Sequence, residues 1–250
     1  MHTDELERWL DGVLNISHIP DASLNGIQVA NRGSVTRVAL AVDASEASIS
    51  GAASAGADFL IVHHGLIWDK PFPWRGPALG RMRRLIESDI SLYAAHLPLD
   101  LHPELGNNAQ LCMKMGWDRI SEFGSYHGVL IGRKTVFDTP VFLNDLAAGL
   151  GSLLGAEPTV WRFGPESVRS AAVVSGRALS MLDQAVGEGC DVYITGETGH
   201  ESYWFAAEAG INVIFGGHYA TETWGLAALG EKIREEWGLE TVFLDLPTGY

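Results

Sequence analysis

Between residues 35 and 96 the chain lays down three apolar runs of strand length: "VTRVALAVD", "DFLIVHH" and "ISLYAAH". The middle run does not alternate. It is apolar at every position until it meets two histidines, the pattern of a strand covered on both faces. Small-residue or helical-period segments separate the runs: "ASEASISGAASAGA" and, after a long Trp- and Pro-rich loop, "ALGRMRRLIES". Strand, helix, strand, helix, strand predicts a parallel sheet with helices on its faces. Ahead of it, Thr3 with Asp4 and Glu5 makes a helix start, and Leu6, Trp9, Leu10 and Val13 fall on one helical face. Asn25-Gly26 in "DASLNGIQV" is turn chemistry.

The order then recurs. "VRSAAVVSG" matches "VTRVALAVD", "RALSMLDQAVGEGC" is the next helix, "DVYITGE" matches "DFLIVHH", "SYWFAAEAG" is a helix, and "INVIFGGH" matches "ISLYAAH". In this register Asp58 falls on Asp191, His64 on Glu197, His96 on His218, and Asp100 on Glu222. Any two α/β units share apolar strands and small-residue helices. A shared ending of small-small-His with a carboxylate four residues later, "AAHLPLD" and "GGHYATE", is not required by the fold. The expected architecture is therefore two similar, duplicated α/β modules with mixed, mostly parallel sheets flanked by helices, and a site in the cleft between them. The first module spans 1–125 and the second 126–250, opened by the strand and helix of "TPVFLNDLAAGLGSLLG", with the C-terminal segment free to pack back on the first.

Composition narrows the function. The chain has 250 residues, 46% hydrophobic and 19% charged, as expected of a compact soluble protein. Its 17 basic and 31 acidic residues give a formal charge of −14, which argues against binding a nucleic-acid backbone and mildly favours cations. Cys112 and Cys190 do not form a CxxC pair and are expected to be reduced fillers. The acidic, amphipathic start lacks the features of a signal peptide, and no apolar run approaches about 18 residues, so a cytoplasmic location is expected and no membrane span.

Ligands of open α/β sheets gather beyond the carboxyl ends of the strands. Here those ends carry His63 and His64, His96 with Asp100, and His218 with Glu222. Imidazole and carboxylate without thiolate is a ligand set for Zn, Fe or Mn. A lone strand-end histidine is more often a cap or core residue; the doublet and the two matching His-x-x-x-acid endings shift the balance to metal. Neighbouring strand residues point to opposite faces, so the doublet suits a site in which each histidine reaches a different ion. Glu222 also opens the helix "TETWGLAALGEKIREEW", where the helix dipole alone favours a carboxylate. His2, His18, His102 and His127 are expected to be satisfied or solvated.

These residues carry a resemblance. "NGIQV", "VHHGLIW", "AAHLPLD", "GCDVYITGE" and "GGHYATETWG", spread over essentially the whole chain, resemble the NIF-three-like dinuclear metal-centre family, also called GTP cyclohydrolase I type 2-like proteins, in its short form without an inserted domain. The resemblance implies two divalent metal ions per subunit held by His63, His64, Asp100, His218 and Glu222, with Glu222, and Asp100 as a second candidate, between them. It places His96 and Glu197 close to the metals, as supporting or substrate-facing residues. It also implies a ring-shaped homo-oligomer, commonly a homohexamer.

Two classes of function stay open. The first is a metal-dependent hydrolase on a nucleotide-like or small cyclic or amide substrate, with Glu197, then His96 and His200, as proton donor. No G-x-S-x-G elbow, cysteine nucleophile or Walker loop competes with it. Equally, Glu197 orients a ligand histidine. The second is a metal carrier or cofactor-assembly protein without turnover. Trp68, Trp74 and Arg75 in the long loop either wall the site or meet a neighbouring subunit.

Overall fold

The computed structural model describes all 250 residues. Along the chain run α1 (Thr3–Leu14), β1 (Gly26–Val29), β2 (Arg37–Asp43), α2 (Glu46–Ser54), β3 (Phe59–His64), α3 (Gly76–Glu87), β4 (Ser91–Ala94) and α4 (Leu97–Leu101). There follow α5 (Asn107–Lys114), β5 (Ile120–Tyr126), β6 (Val129–Phe142), α6 (Leu143–Leu154), β7 (Thr159–Trp161), β8 (Ser167–Val173), α7 (Leu182–Gly187) and β9 (Val192–Thr195). The last elements are α8 (Tyr203–Ala209), β10 (Asn212–Phe215), α9 (His218–Thr221), α10 (Thr223–Trp237) and β11 (Glu240–Phe243).

The contacts divide the chain into two units: Met1–Leu105 with Gly225–Leu246, and Gly106–Trp224 with Pro247–Tyr250. The sequence pattern alone puts the division after residue 125. The first unit holds a five-stranded sheet ordered β1-β4-β3-β2-β11, parallel except where β1 runs against β4. The second holds a six-stranded sheet ordered β5-β6-β8-β9-β10-β7. Its centre, β8-β9-β10, is parallel, while β5, β6 and β7 pair antiparallel. The expected mixed α/β architecture with helix-flanked, mostly parallel sheets is what the chain forms.

The unbroken apolar runs behave as their pattern requires. Phe59, Leu60, Ile61 and Val62 of β3 are fully buried, as are Val192 and Val213 of β9 and β10. Each such side chain stabilises by about 1.5–3 kcal/mol relative to an exposed one. In α1 the buried stripe is Leu6, Leu10 and Leu14, while Trp9 meets Trp237 edge-on at 6.1 Å. Ser45 and Ser48 close a reciprocal capping box on α2.

Three elements depart from expectation. The helix expected over 177–190 is only α7, preceded by a 3-10 turn, because Ala178 is tied to β9 by its carbonyl to Tyr193 (2.6 Å) and its amide to Thr195 (3.3 Å). The helix expected from Thr221 begins earlier and breaks at Glu222 (φ −112°), leaving α9 and α10. The β5–β6 hairpin has no signal in the apolar pattern; its turn, His127-Gly128, has φ of +48° and +86°, the geometry of a tight two-residue hairpin loop.

The duplication is visible in hydrogen bonds. Asp58 accepts from the amides of Thr36 and Arg37 at 2.9–3.3 Å, just ahead of and at the start of β2. Asp191, its partner in register, accepts from the amides of Arg169 (2.6 Å) and Ser170 (3.2 Å) within β8. Thr36 and Arg37 align with Arg169 and Ser170 in the same register. A fold shared by chance has no reason to put the same carboxylate on the same two amides. Asp58→Ala and Asp191→Ala should each lower unfolding stability by about 1–2 kcal/mol in urea titrations. Unchanged midpoints in both variants would show that neither carboxylate holds its strand.

Candidate metal centre

In the first unit β3 delivers His63 and His64 to the carboxyl edge of the sheet. Although both residues belong to β3, the two rings converge, with centroids 4.7 Å apart, rather than serving opposite faces. Gly65 follows, where a Cβ would collide with the amide of Gln28. Gln28 Oε1 accepts from the amides of Leu66 (2.6 Å) and Ile67 (3.1 Å), fixing the chain as it leaves the doublet. His96, between β4 and α4, brings its ring to 5.0 Å from His63 and 5.7 Å from His64. One ring nitrogen from each of His63, His64 and His96 lies within 4.8 Å of the others, a group that could hold a metal ion. Asp100, on α4, reaches 3.5 Å from His63 Nε2.

Each of these rings is held from behind. His63 Nδ1 lies 2.8 Å from the carbonyl of Ala95, and His64 Nδ1 lies 2.9 Å from Asp43 Oδ1. His96 Nδ1 lies 2.9 Å from Asp21 Oδ1. Carbonyls and ionised carboxylates only accept, so Nδ1 carries a proton in each ring, and a neutral ring keeps its lone pair on Nε2. Burial disfavours the Asp21 anion, but the hydrogen bond and charge of His96 overcome it and hold the carboxyl at about 2.

In the second unit His218 opens α9 and Glu222 sits at the break before α10. His218 Nε2 is 3.1 Å from Glu222 Oε2, and Nδ1 is 2.5 Å from Glu197 Oε1. Burial works against the imidazolium, yet Glu222 and then Glu197 outweigh it and lift His218 to about 9. Glu222 is 3% exposed. Room for its carboxylate comes from Gly176 (φ +65°), where a Cβ would collide with Glu222 Oε1 and stand 3.3 Å from His218 Nε2.

These residues fit the divalent ions that the resemblance implies. Imidazole nitrogens fixed by acceptors on their far side, beside buried carboxylates, are the usual first and supporting layers of an N/O metal site. Neither cysteine belongs to these groups, and burial pushes the Cys112 thiol up to about 12 and that of Cys190 up to about 11.

The remaining candidates separate clearly. Glu197 Oε1 lies 2.5 Å from His218 Nδ1. Trp68 belongs to its own unit, its ring edge-on to His96 at 5.1 Å and its indole donating to the Gly65 carbonyl (3.1 Å). Trp74 stays at the surface against Phe72. His200 is exposed. His2 caps α1, His18 bonds Asn15, His102 accepts from Glu104 and Leu105, and His127 lies against Tyr126. Asp21 and Asp43 escape a sequence reading because nothing local marks them; they act across 75 and 21 residues of chain.

Fold and site together define an α/β protein whose strand ends present histidine and carboxylate groups suited to a metal ion. The chain belongs to the Duf34/NIF3 (NGG1p interacting factor 3) family, which it matches over residues 1–248. It is 45% identical to the GTP cyclohydrolase 1 type 2 homolog of Archaeoglobus fulgidus, over 99% of each chain. It is 37% identical to that of Escherichia coli K12, again over 99% of each. Among solved structures, TTHA1606 from Thermus thermophilus superposes with a TM-score of 0.93 at 41% identity over 100% of both chains. Reduced HcgD from Methanocaldococcus jannaschii gives 0.87 at 26% identity over 98% of both.

Gly176→Ala should destabilise the metal-free chain by about 1–3 kcal/mol in denaturant titrations, from its left-handed backbone and the displaced Glu222 carboxylate. Full stability would mean that Glu222 has room to spare.

Proposed function

We propose that this chain is a dinuclear divalent-metal protein that acts as a hydrolase on a nucleotide-like or small cyclic or amide substrate. The ligands would be His63, His64 and Asp100 from the first unit with His218 and Glu222 from the second, and the ions Zn, Fe or Mn. The carrying observation is that His63, His64 and His96 each bring one ring nitrogen within 4.8 Å of the others, with Nδ1 held from behind by Ala95, Asp43 and Asp21. Two divalent ions held there would supply Lewis acidity and a water deprotonated near neutral pH.

The chain's own residues supply the rest. Glu197 keeps His218 turned so that Nε2 meets Glu222. Glu197, 31% exposed at its side chain, is the first candidate for the proton carrier, while the His96 ring, 21% exposed, stands beside those of His63 and His64. Trp68 shields one edge of that ring from water. GTP heads the substrate panel because relatives carry the name GTP cyclohydrolase 1 type 2 homolog. We also propose a cytoplasmic homohexameric ring without nucleic-acid or membrane partners. The acidic net charge of −14 supports the absence of nucleic acid, and no helix is long and apolar enough to cross a membrane.

Elemental analysis should find about two ions per wild-type chain and fewer than half as many in His64→Ala/Glu222→Ala. Equal content in both proteins would sink the metal site. Turnover of GTP or of a cyclic or amide analogue, reduced at least about tenfold in Glu197→Gln with metal retained, would establish the hydrolase. Metal that exchanges freely, with no turnover across the panel, would make the protein a carrier instead.

A further inference from the structure

The segment between α1 and β1, which reads in sequence as a turn, is built around one buried carboxylate. Asp21 is 3% exposed at its side chain. It accepts from the amide of Ser23 (3.1 Å), the side-chain amide of Asn25 (2.9 Å), the amide of Leu97 (3.0 Å) and His96 Nδ1 (2.9 and 3.1 Å to its two oxygens). Both oxygens are engaged, so the carboxylate cannot turn. Asn25 Oδ1 accepts from the His96 amide at 2.8 Å, fixing the backbone that bears the ring.

The same segment seats the opposite wall. Leu24 donates its amide to the Ile67 carbonyl (3.0 Å), and Asp69 donates to that of Ala22 (2.7 Å), so Ser23 and Trp68 pair as a short antiparallel bridge. That ladder sets the Trp68 ring edge-on to His96. His96 is thus gripped by a carboxylate on Nδ1, an indole on its flank and the His63 ring at 5.0 Å, while part of it stays open to solvent. The other carboxylates behind an imidazole are looser: Asp43 is 45% exposed and Glu197 31% exposed.

We propose that Asp21 is a positioning residue of the metal site, which holds His96 in the Nδ1–H tautomer so that its Nε2 joins those of His63 and His64 as a third nitrogen. This rests on the metal-binding reading above for its purpose but not for its first test. A purely structural Asp21, pinning the loop to the start of α4, would need only Leu97 and the loop amides. The imidazole would then be free to take either tautomer.

The test begins on the metal-free, full-length protein labelled with 15N-histidine, using long-range proton–nitrogen correlation at pH 8, with His96 assigned through His96→Gln. His96 is expected as the Nδ1–H form in the wild type and shifted toward the Nε2–H form in Asp21→Ala. A wild-type His96 in the Nε2–H form overturns the proposal, whether or not the variant folds. Zinc affinity is then measured by competition with a chromophoric chelator. Asp21→Ala and His96→Gln should each weaken binding about 10–100-fold. The double variant should be no weaker than His96→Gln alone, since the two act through one ring. Independent, additive losses would assign Asp21 to loop stability only. A wild type that binds no zinc would remove the metal function, while the tautomer measurement would still decide whether Asp21 sets His96.

Discussion

An imidazole has two nitrogens, and a site can use one only if something else holds the other. The architecture around the strand ends is organised by this constraint. Ala95, Asp43, Asp21 and Glu197 each take one Nδ1, and together they commit His63, His64, His96 and His218 to the same orientation of ring nitrogens. None of the four acceptors is a neighbour in sequence of the ring it holds. The sheet must therefore form before the rings acquire a defined direction.

The duplicated modules meet this requirement in different ways. In register, Asp43 of the first copy corresponds to Gly176 of the second, and His64 to Glu197. The first copy places a carboxylate on the earlier strand and an imidazole on the later one. The second removes the side chain from the earlier strand, puts the carboxylate on the later one, and uses the vacated space for Glu222. The carboxylate–imidazole bond survives while its owners change. Asp58 and Asp191, which serve the strands and not the site, stay the same. Structure is retained where the fold needs it, and chemistry diverges where the strands end.

Legibility from sequence follows the range of the interactions. Parallel strands are written in continuous apolar runs, so β2, β3, β4 and their counterparts are recognisable. The His doublet and the two His-x-x-x-acid endings lie within a few residues of one another and are equally plain. Asp21 is tied to a ring 75 residues away, and its own surroundings, "PDASLNG", look like an ordinary turn. The β5–β6 hairpin is hidden differently. Its strands bury only short stretches, such as Phe123 and Gly124 of β5, so neither alternation nor a continuous run stands out. Glu222 has two readings in the sequence, helix start or ligand. The break between α9 and α10 reconciles them, since the carboxylate is buried where the helix is interrupted.

The loop after the doublet shows why length alone is a poor guide to mobility. A stretch rich in Trp and Pro invites description as a lid or as a surface for another subunit. Its first residues are instead laced to the first unit by Gln28, by the Ser23–Trp68 bridge and by the Trp68 indole on Gly65. Only from Asp69 onward does the segment become exposed, with Phe72 and Trp74 packed on each other at the surface. Two environments therefore adjoin within one loop: a hydrogen-bonded stretch whose Trp68 ring stands edge-on to His96, and an outer aromatic pair at the surface. A substitution at Trp68 acts on the direction of an imidazole, whereas one at Trp74 acts on the surface. The sequence, which offers two tryptophans six residues apart, gives no sign of that difference.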